Sequence, residues 1–497
     1  MADANLLSLV PPVLTIVLAI WTRNIIVSLV LGVLCGSLIL TGFNPFAATI
    51  DMIEQRIFVQ IAVPSNIQII FTMMAIGGFI RLLEESGGAS AFARSMVRFV
   101  TTRRRAELLS FSSGLAIFFT DTGNALINGP LYRPIFARLG ICREKLAYIL
   151  DSTASPICIL IPFIGWGAYI MGLIEQSYAD AGLTASSFDV LIAVLPNQFY
   201  AILALFSVFI FAMRGRDFGA MRTAQQAMPA PEPATPAAGL PMDEAVPLRL
   251  FVVPIVTLLG LIAGLLTWYS LNDDLTSTHV RSTLTIAYVA ASLACALLTL
   301  GRGVTFNDSL GRFVKGCETM VTVVIILILA WSLSSVIRDL DTAGTIATLV
   351  RDDLAGAALP ALVFVLGAII SIATGSSWGT FAILLALAVP VAVAIDAPLI
   401  LTIAAVLSGG LFGDHTSPIS DTTVLASIGA DCPHIDHVTT QFSYALVTGG
   451  FAFAAYLGAG FYPGPAWLPL AAVGLALAIF FLTRSGIEAP RTSGSTG

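Results

Sequence analysis

The densest group of residues able to hold an ion is Gly409-Gly410-Leu411-Phe412-Gly413-Asp414-His415-Thr416-Ser417-Pro418-Ile419-Ser420-Asp421-Thr422-Thr423, set in an otherwise apolar run from Pro398 to Ile428. The glycines and Pro418 break a helix and free backbone carbonyls. Na+ is a hard ion that takes oxygen ligands, by extension of the rules for Ca2+ and Mg2+. Asp414 and Asp421, with Thr416, Ser417 and Thr422, therefore form the candidate Na+ site. Loss of water favours the neutral form of a carboxyl group in general. The same oxygens can then hold Na+ or H+ but not both, which is exchange by competition. Two roles stay open for His415: a proton relay, or a partner for Asp414.

A matching element precedes it in the chain. Asp151-Ser152-Thr153-Ala154-Ser155-Pro156 again puts a carboxylate and hydroxyls before a proline, so Asp151, Thr153 and Ser155 join the cation- and proton-binding set. Two polar tips interrupt long apolar blocks. One is Thr120-Asp121-Thr122-Gly123-Asn124 and the other Thr374-Gly375-Ser376-Ser377. Asp121 adds a carboxylate. Thr122, Gly123, Asn124, Thr374, Gly375 and Ser376 are candidate substrate-binding tips, because helix N-termini hold anionic groups. Each residue has a plainer alternative. Ser and Thr in membrane helices commonly bond back to their own carbonyls or join helices. Asp121 and Asp151 have structural pairing with Arg133 or Lys145 as theirs. His434 and His437 lie near Cys432 at metal-like spacing, but beside Asp436 they are expected in a solvated loop. Glu84 and Glu85 are expected as an interface pair near Arg81.

These residues need helices to carry them. A crossing takes about 20 mostly apolar residues. Such runs lie at 6–21, 24–43, 62–83, 145–174, 190–213, 250–268, 281–300, 317–338, 398–429, 438–459 and 465–484, giving about 11 spans. The run 6–21 lacks a preceding basic residue and a small-residue cleavage site, so it is expected as a retained span. Blocks 106–139 and 358–396 are too long for one crossing, and each is broken in the middle. Arg94 to Arg105 precede block 106–139, and Arg133 to Lys145 follow it. Basic residues mark the cytoplasmic side, so the block enters and leaves on one side as a re-entrant hairpin. Irregular backbone at that depth survives only inside protein or beside water. The same rule puts the N-terminus outside and the C-terminus in the cytoplasm.

The landmarks recur in order: hairpin tip, Thr122-Gly123-Asn124 against Thr374-Gly375-Ser376, then broken helix, Asp151 to Ile157 against Asp414 to Ile419. Residues 1–213 are expected as one repeat with hairpin 106–139, and 247–459 as a second, inverted copy with hairpin 358–396. A cytoplasmic Pro/Ala-rich linker, 214–246, joins them, and 460–497 adds a span and tail. Inverted repeats with interrupted helices mark secondary transporters. The fold class is thus an all-α polytopic membrane protein.

Composition agrees. Of 497 residues, 57% are hydrophobic and 11% charged, against roughly 25% charged in soluble proteins. Mean hydropathy is +0.91. A soluble enzyme, a disordered chain and a secreted disulfide scaffold are excluded. A net charge of -6, from 24 basic and 30 acidic residues, excludes a polybasic nucleic-acid binder. The six cysteines form no CxxC and are expected as small buried hydrophobes. There is no HExxH, no GxSxG with an accessible His and no nucleotide-binding loop, so no enzyme and no cofactor are expected.

The segment Gly413-Asp414-His415-Thr416-Ser417-Pro418-Ile419-Ser420-Asp421-Thr422-Thr423 closely resembles the motif of NhaC-type Na+/H+ antiporters. Asp151 to Pro156 and Thr120 to Gly123 are similar to the same family. The resemblance spans roughly residues 10–480. It implies a multi-pass protein of the bacterial inner membrane in the ion-transporter superfamily, moving Na+ and H+. Members similar in sequence also exchange organic acids or carry amino acids. A Na+- or H+-coupled carrier of a small organic anion or amino acid is therefore the alternative. A homodimer is an open option for assembly.

Overall fold

In lipid a backbone must satisfy its own hydrogen bonds, so apolar runs become helices. The computed structural model describes residues 6–228, 246–272, 275–349 and 353–484, and every regular element among them is helical. The Pro/Ala-rich part of the expected linker, 229–245, and the tail from 485 lie outside the described residues.

The first half contains α1 (Val10–Thr22), α2 (Ile25–Leu40), α3 (Pro64–Glu85), α4 (Arg103–Ala116), α5 (Asp121–Arg138), α6 (Arg143–Ser152), α7 (Gly165–Asp180) and α8 (Phe199–Arg214). The second contains α9 (Arg249–Asn272), α10 (Ser277–Leu300), α11 (Phe306–Thr319), α12 (Val321–Asp339), α13 (Asp353–Thr374), α14 (Ser377–Ala394), α15 (Leu399–Thr416), α16 (Asp421–Ala430), α17 (His434–Phe461) and α18 (Trp467–Arg484). Among the described residues, ten helices are long and apolar enough to cross a membrane. The runs at 6–21 and 24–43, expected as full spans, form apolar helices of lesser length.

Two helical hairpins and two broken helices stand where the sequence places them. Helices α4 and α5 meet at Ile117–Thr120, and α13 and α14 at Gly375–Ser376. The run 145–174 divides into α6, a short turn Ser155–Cys158, and α7. The run 398–429 divides into α15 and α16 at Ser417–Ser420. The halves interlock. The returning arm of the first hairpin, α5, packs on α16, and the returning arm of the second, α14, packs on α7. Each hairpin thus leans on the distal half of the other repeat's broken helix.

The register between the tips differs from the expected pairing of Thr122-Gly123-Asn124 with Thr374-Gly375-Ser376. Thr120 caps α5 by accepting from Gly123 N at 3.0 Å, and Ser376 caps α14 by accepting from Gly379 N at 3.3 Å. Capping fixes a helix start. Thr120 therefore corresponds to Ser376, Asp121 to Ser377, and Thr122 to Trp378. Gly375 instead serves the turn. Its φ is +65°, and a Cβ there would lie 2.6 Å from the Ile419 carbonyl oxygen, so only glycine fits.

The α5–α16 contact is a crossing of glycines. A Cβ on Gly129 would lie 2.5 Å from the carbonyl oxygen of Gly429. Small residues allow such close approach. Gly129→Ala is expected to force these helices apart and destabilise the protein by about 1–3 kcal/mol. Thermal unfolding in detergent would show a lower melting temperature; an unchanged one would mean the crossing is loose. A second tight crossing joins α3 to α11. A Cβ on Gly77 would meet Gly316 O at 2.5 Å and Met320 Cγ at 2.6 Å.

Lys145, a buried cation of the first half, serves structure. Lys145 Nζ lies 2.5 Å from Asp217 Oδ1. Asp217 also receives Tyr444 Oη at 2.7 Å and Arg103 Nη2 at 3.3 Å. Arg133 lies 3.7 Å from Asp431. The structural alternative for Asp121 and Asp151, pairing with Arg133 or Lys145, is therefore corrected: both cations are committed elsewhere.

Candidate functional site

Asp151 sits one residue before the end of α6 and is 1% exposed. Its Oδ2 accepts from Gln441 Nε2 at 2.5 Å and from Thr423 Oγ1 at 3.0 Å. Its Oδ1 has no hydrogen-bond partner. Gln441, on α17, also donates to the His415 carbonyl at 2.6 Å. One amide therefore ties the first broken helix to the second.

Asp414 is the counterpart on α15, buried in that helix's last turn. Ser377, at the start of α14, donates to its Oδ2 at 3.4 Å, and its Oδ1 has no partner. A buried polar atom without a partner is costly. These two aspartate oxygens, one in each half, need a proton, a cation or water to be satisfied, as does Oε2 of Glu107, which lines neither cavity described below.

Asp414 faces a cavity of about 260 Å³ with Asp121, Asp421, Thr422, Gly375, Ser376 and Ser377. Next to it is a chamber of about 590 Å³, and the two share Asp121, Asp421, Trp166 and Trp378. Trp166 Nε1 donates to Asp121 Oδ2 at 3.1 Å. Asp121 Oδ1 accepts from Thr122 N at 2.7 Å, and Asp421 Oδ1 from Thr422 N at 2.9 Å. Each of these aspartates opens a helix, where the N-terminal dipole stabilises negative charge. Both hairpin tips, the second broken helix and Trp166 of α7 therefore meet at one polar cavity, whereas Asp151 lines neither cavity.

Other candidates use their hydroxyls internally. Thr416 donates to Phe412 O at 2.8 Å, Thr153 to Ile149 O at 2.7 Å, and Thr374 to Ile370 O at 2.8 Å. Ser417 donates to Ile372 O at 2.8 Å, which pins the break to α13. Asn124 donates to Gly114 O at 2.9 Å and Thr153 O at 2.7 Å, which fastens the first tip to the first break. Ser155 Oγ is buried without a partner. Thr122 and Gly123 line the larger chamber. His415 does not bond Asp414. Its Nε2 lies 3.1 Å from Ser152 Oγ and its Nδ1 2.7 Å from Tyr200 Oη.

Two expectations are corrected. His437 lies in α17, not in a solvated loop, and is fully buried at 4.0 Å from Asp151 Oδ2. The i,i+4 spacing of His437 and Gln441 was the available signal, since it puts both on one helix face. Glu84 does not share the ion pairs of Glu85. Glu85 bonds Arg81 at 2.6 Å and Arg312 at 3.0 Å, whereas Glu84 lines the chamber beside Thr120 and Asp121. Trp166 and Trp378 also reach the cavity, and isolated aromatic residues in apolar runs gave no signal; Ser377, part of the second tip, reaches it as well. Among the described residues, no three His, Cys, Asp or Glu side chains converge as a metal cage.

Discontinuous helices meeting hairpin tips at an acidic cavity define a secondary transporter of the membrane. The profile of the Na+/H+ antiporter family matches residues 5–163 and 157–461, and the chain belongs to that family. The resemblance to NhaC-type antiporters is thereby borne out. A Haemophilus influenzae protein described as uncharacterized is 32% identical over 495 residues, covering 96% of this chain and 95% of its own. The malate-2H+/Na+-lactate antiporter of Bacillus subtilis is 29% identical over 189 residues, 37% of this chain and 38% of that one. Among solved structures, the Alcanivorax borkumensis YdaH transporter matches with a TM-score of 0.56 at 14% identity, covering 88% of this chain and 89% of that one. At that identity the likeness speaks for the fold.

Proposed function

We propose that the protein exchanges Na+ for H+ across the bacterial inner membrane. The observation that carries this reading is the pair of buried aspartates, Asp151 and Asp414, each with one oxygen unpartnered. Na+ and H+ compete for Asp414 and Asp421, with Thr422 and the Ser377 hydroxyl beside them. Asp121, on the wall of the same cavity, and Asp151, which accepts from Thr423 of α16, hold protons. Residues 1–213 and 247–459 act as the two inverted units, joined by 214–246 and followed by 460–497. The N-terminus faces outward and the C-terminus the cytoplasm, in keeping with Arg133 and Arg143 grouped at Asp431. Alternating access follows from movement of one unit against the other.

Reconstituted protein under an imposed pH gradient is expected to drive Na+ against its own gradient. Vesicles that show no Na+ movement at any gradient would reject the reading. By size, the 590 Å³ chamber also suits an organic acid or amino acid. Its lining, however, sets Glu84, Asp121 and Asp421 against Arg81, whose guanidinium already bonds Glu85. An organic anion would meet net negative charge there. Addition of organic acids to the same vesicles is expected to leave Na+ flux unchanged.

Trp166→Phe offers a finer test of the tip. It keeps the ring and removes the donor to Asp121. Losing one hydrogen bond to a charged group costs about 1.5–3 kcal/mol. Apparent Na+ affinity is expected to change roughly 10- to 100-fold, measured as Na+-dependent flux; an unchanged affinity would take Asp121 out of the exchange.

A further inference from the structure

The chamber of about 590 Å³ is larger than a Na+ ion needs. A water molecule takes about 30 Å³ in the liquid, so there is room for on the order of 20 of them. Sites for small organic ligands span about 300–1,000 Å³ and combine largely apolar walls with a few placed polar groups. The wall here has that character. Leu126 of α5, Met320 and Val323 at the start of α12, Leu425 of α16 and Trp378 of α14 give it an apolar side drawn from both halves. Such a wall offers nothing to a hydrated Na+. It favours a ligand with apolar surface of its own.

The charged side of the chamber is acidic. Glu84, Asp121 and Asp421 line it, and the one cation there, Arg81, is bonded to Glu85. Glu84 reaches the first tip through a gap that glycine leaves: a Cβ on Gly123 would collide with Glu84 Oε1. Asp121 and Asp421 stand at the boundary with the smaller cavity. On the far side of that boundary is Asp414, 3% exposed, with Oδ1 unpartnered. A buried carboxylate oxygen of this kind calls for a donor or a cation. Glu84 takes no part in the exchange site, so it adds a negative charge that Na+ at Asp414 and Asp421 does not use.

We propose that the chamber binds a small primary ammonium ion with an apolar body, in competition with Na+. The ammonium lies at the boundary, where its three N–H donors meet Asp121 and Asp421, with Asp414 on the far side. The body lies in the chamber beside Trp378, Leu126 and Met320. Glu84 sets the preference for a cation over a neutral or anionic ligand of the same shape. A carboxylate on the ligand is disfavoured for the same reason, which separates this ligand from an amino acid. Competition arises because the ammonium and Na+ both need Asp421. The competition rests on the exchange reading; occupancy of the chamber does not.

The test uses the purified full chain in a neutral detergent near neutral pH, where an alkylamine is charged. The probes are phenethylammonium, its neutral counterpart phenethyl alcohol, and the anion phenylacetate. A ligand of the native state raises the melting temperature. Phenethylammonium is expected to do so, and to raise the apparent Kd for Na+ in proportion to its concentration; the other two are expected to do neither. No stabilisation by phenethylammonium, or equal stabilisation by the alcohol, would overturn the site. Stabilisation with an unchanged Na+ affinity would overturn its placement at Asp421. Glu84→Gln is expected to weaken phenethylammonium roughly 10- to 100-fold and to leave Na+ affinity as it was. Wild-type affinity for phenethylammonium in that variant would overturn the role of Glu84. Methylammonium, which lacks the apolar body, is expected to bind the wild type at least roughly tenfold more weakly; equal affinities would overturn the role of the apolar wall, and this comparison needs no variant to fold. If the wild type binds no Na+, the exchange reading fails, and the melting temperatures still judge the chamber.

Discussion

Asp414→Asn is expected to end coupled transport while the protein still folds. The amide keeps the size and can still accept from Ser377, so packing in α15 is preserved. It cannot hold a proton in exchange for a cation, and it lacks the charge that attracts Na+. Losing a charged ligand of this kind costs about 1.5–3 kcal/mol of binding, or about 10- to 100-fold in affinity. Coupling itself is expected to fail, because the remaining contested carboxylate, Asp421, lies exposed at the cavity mouth. Na+ efflux in proteoliposomes, with thermal unfolding as a control, measures both. A folded Asp414→Asn protein that transports like the wild type would remove Asp414 from the site. Asp421, at the mouth of the same cavity, provides the contrast. Asp421→Asn is expected to weaken Na+ binding without removing coupling, since Asp414 and Asp151 remain.

Lys145→Met should have the largest effect on stability. Lys145 is 1% exposed and lies in the first turn of α6, the helix that carries Asp151. Its ammonium bonds Asp217 and stands 4.9 Å from the ring centre of Phe211 and 5.4 Å from that of Tyr444. Replacing it leaves Asp217 as a buried charge with only Arg103 and the Tyr444 hydroxyl. Breaking a buried pair from one side costs about 3–5 kcal/mol, whereas replacing both partners by apolar groups is often neutral. Lys145→Met is therefore expected to lower the melting temperature clearly, and Lys145→Met with Asp217→Leu to recover much of the loss. Arg103 remains paired to Glu107 at 3.0 Å in the double variant. Equal melting temperatures for single and double variants would contradict the pairing. Because the pair anchors the base of α6, the single variant is also expected to slow transport.

The sequence showed where helices break, because Gly, Pro and paired hydroxyls interrupt apolar runs for a local reason. Asp414, Asp421 and Asp121 could be found the same way: a carboxylate inside such a run needs a partner. Four features escaped for physical reasons. The tip register slipped by four residues, because a Thr-Gly pair occurs in both tips while the capping residues, Thr120 and Ser376, differ. His437 was hidden by its neighbours. Asp431, Cys432 and Pro433 have loop character, yet Pro433 serves as the cap from which α17 starts. Gln441 and Glu84 act through contacts made by distant helices, which local pattern does not carry. Lys145 and Asp217 are 72 positions apart and meet only in the fold.

The central claim is that Na+ and H+ contest the same buried carboxylates. Na+ binding to the purified wild-type protein, measured by calorimetry across a pH series in buffers of different ionisation heat, tests it most directly. Binding should release protons, as cation binding to protonated ligands does, and the apparent Kd should rise toward about tenfold per unit fall in pH, the limit for one displaced proton. In Asp414→Asn the proton release should vanish. An affinity for Na+ that stays flat with pH, with no proton released, would contradict the account.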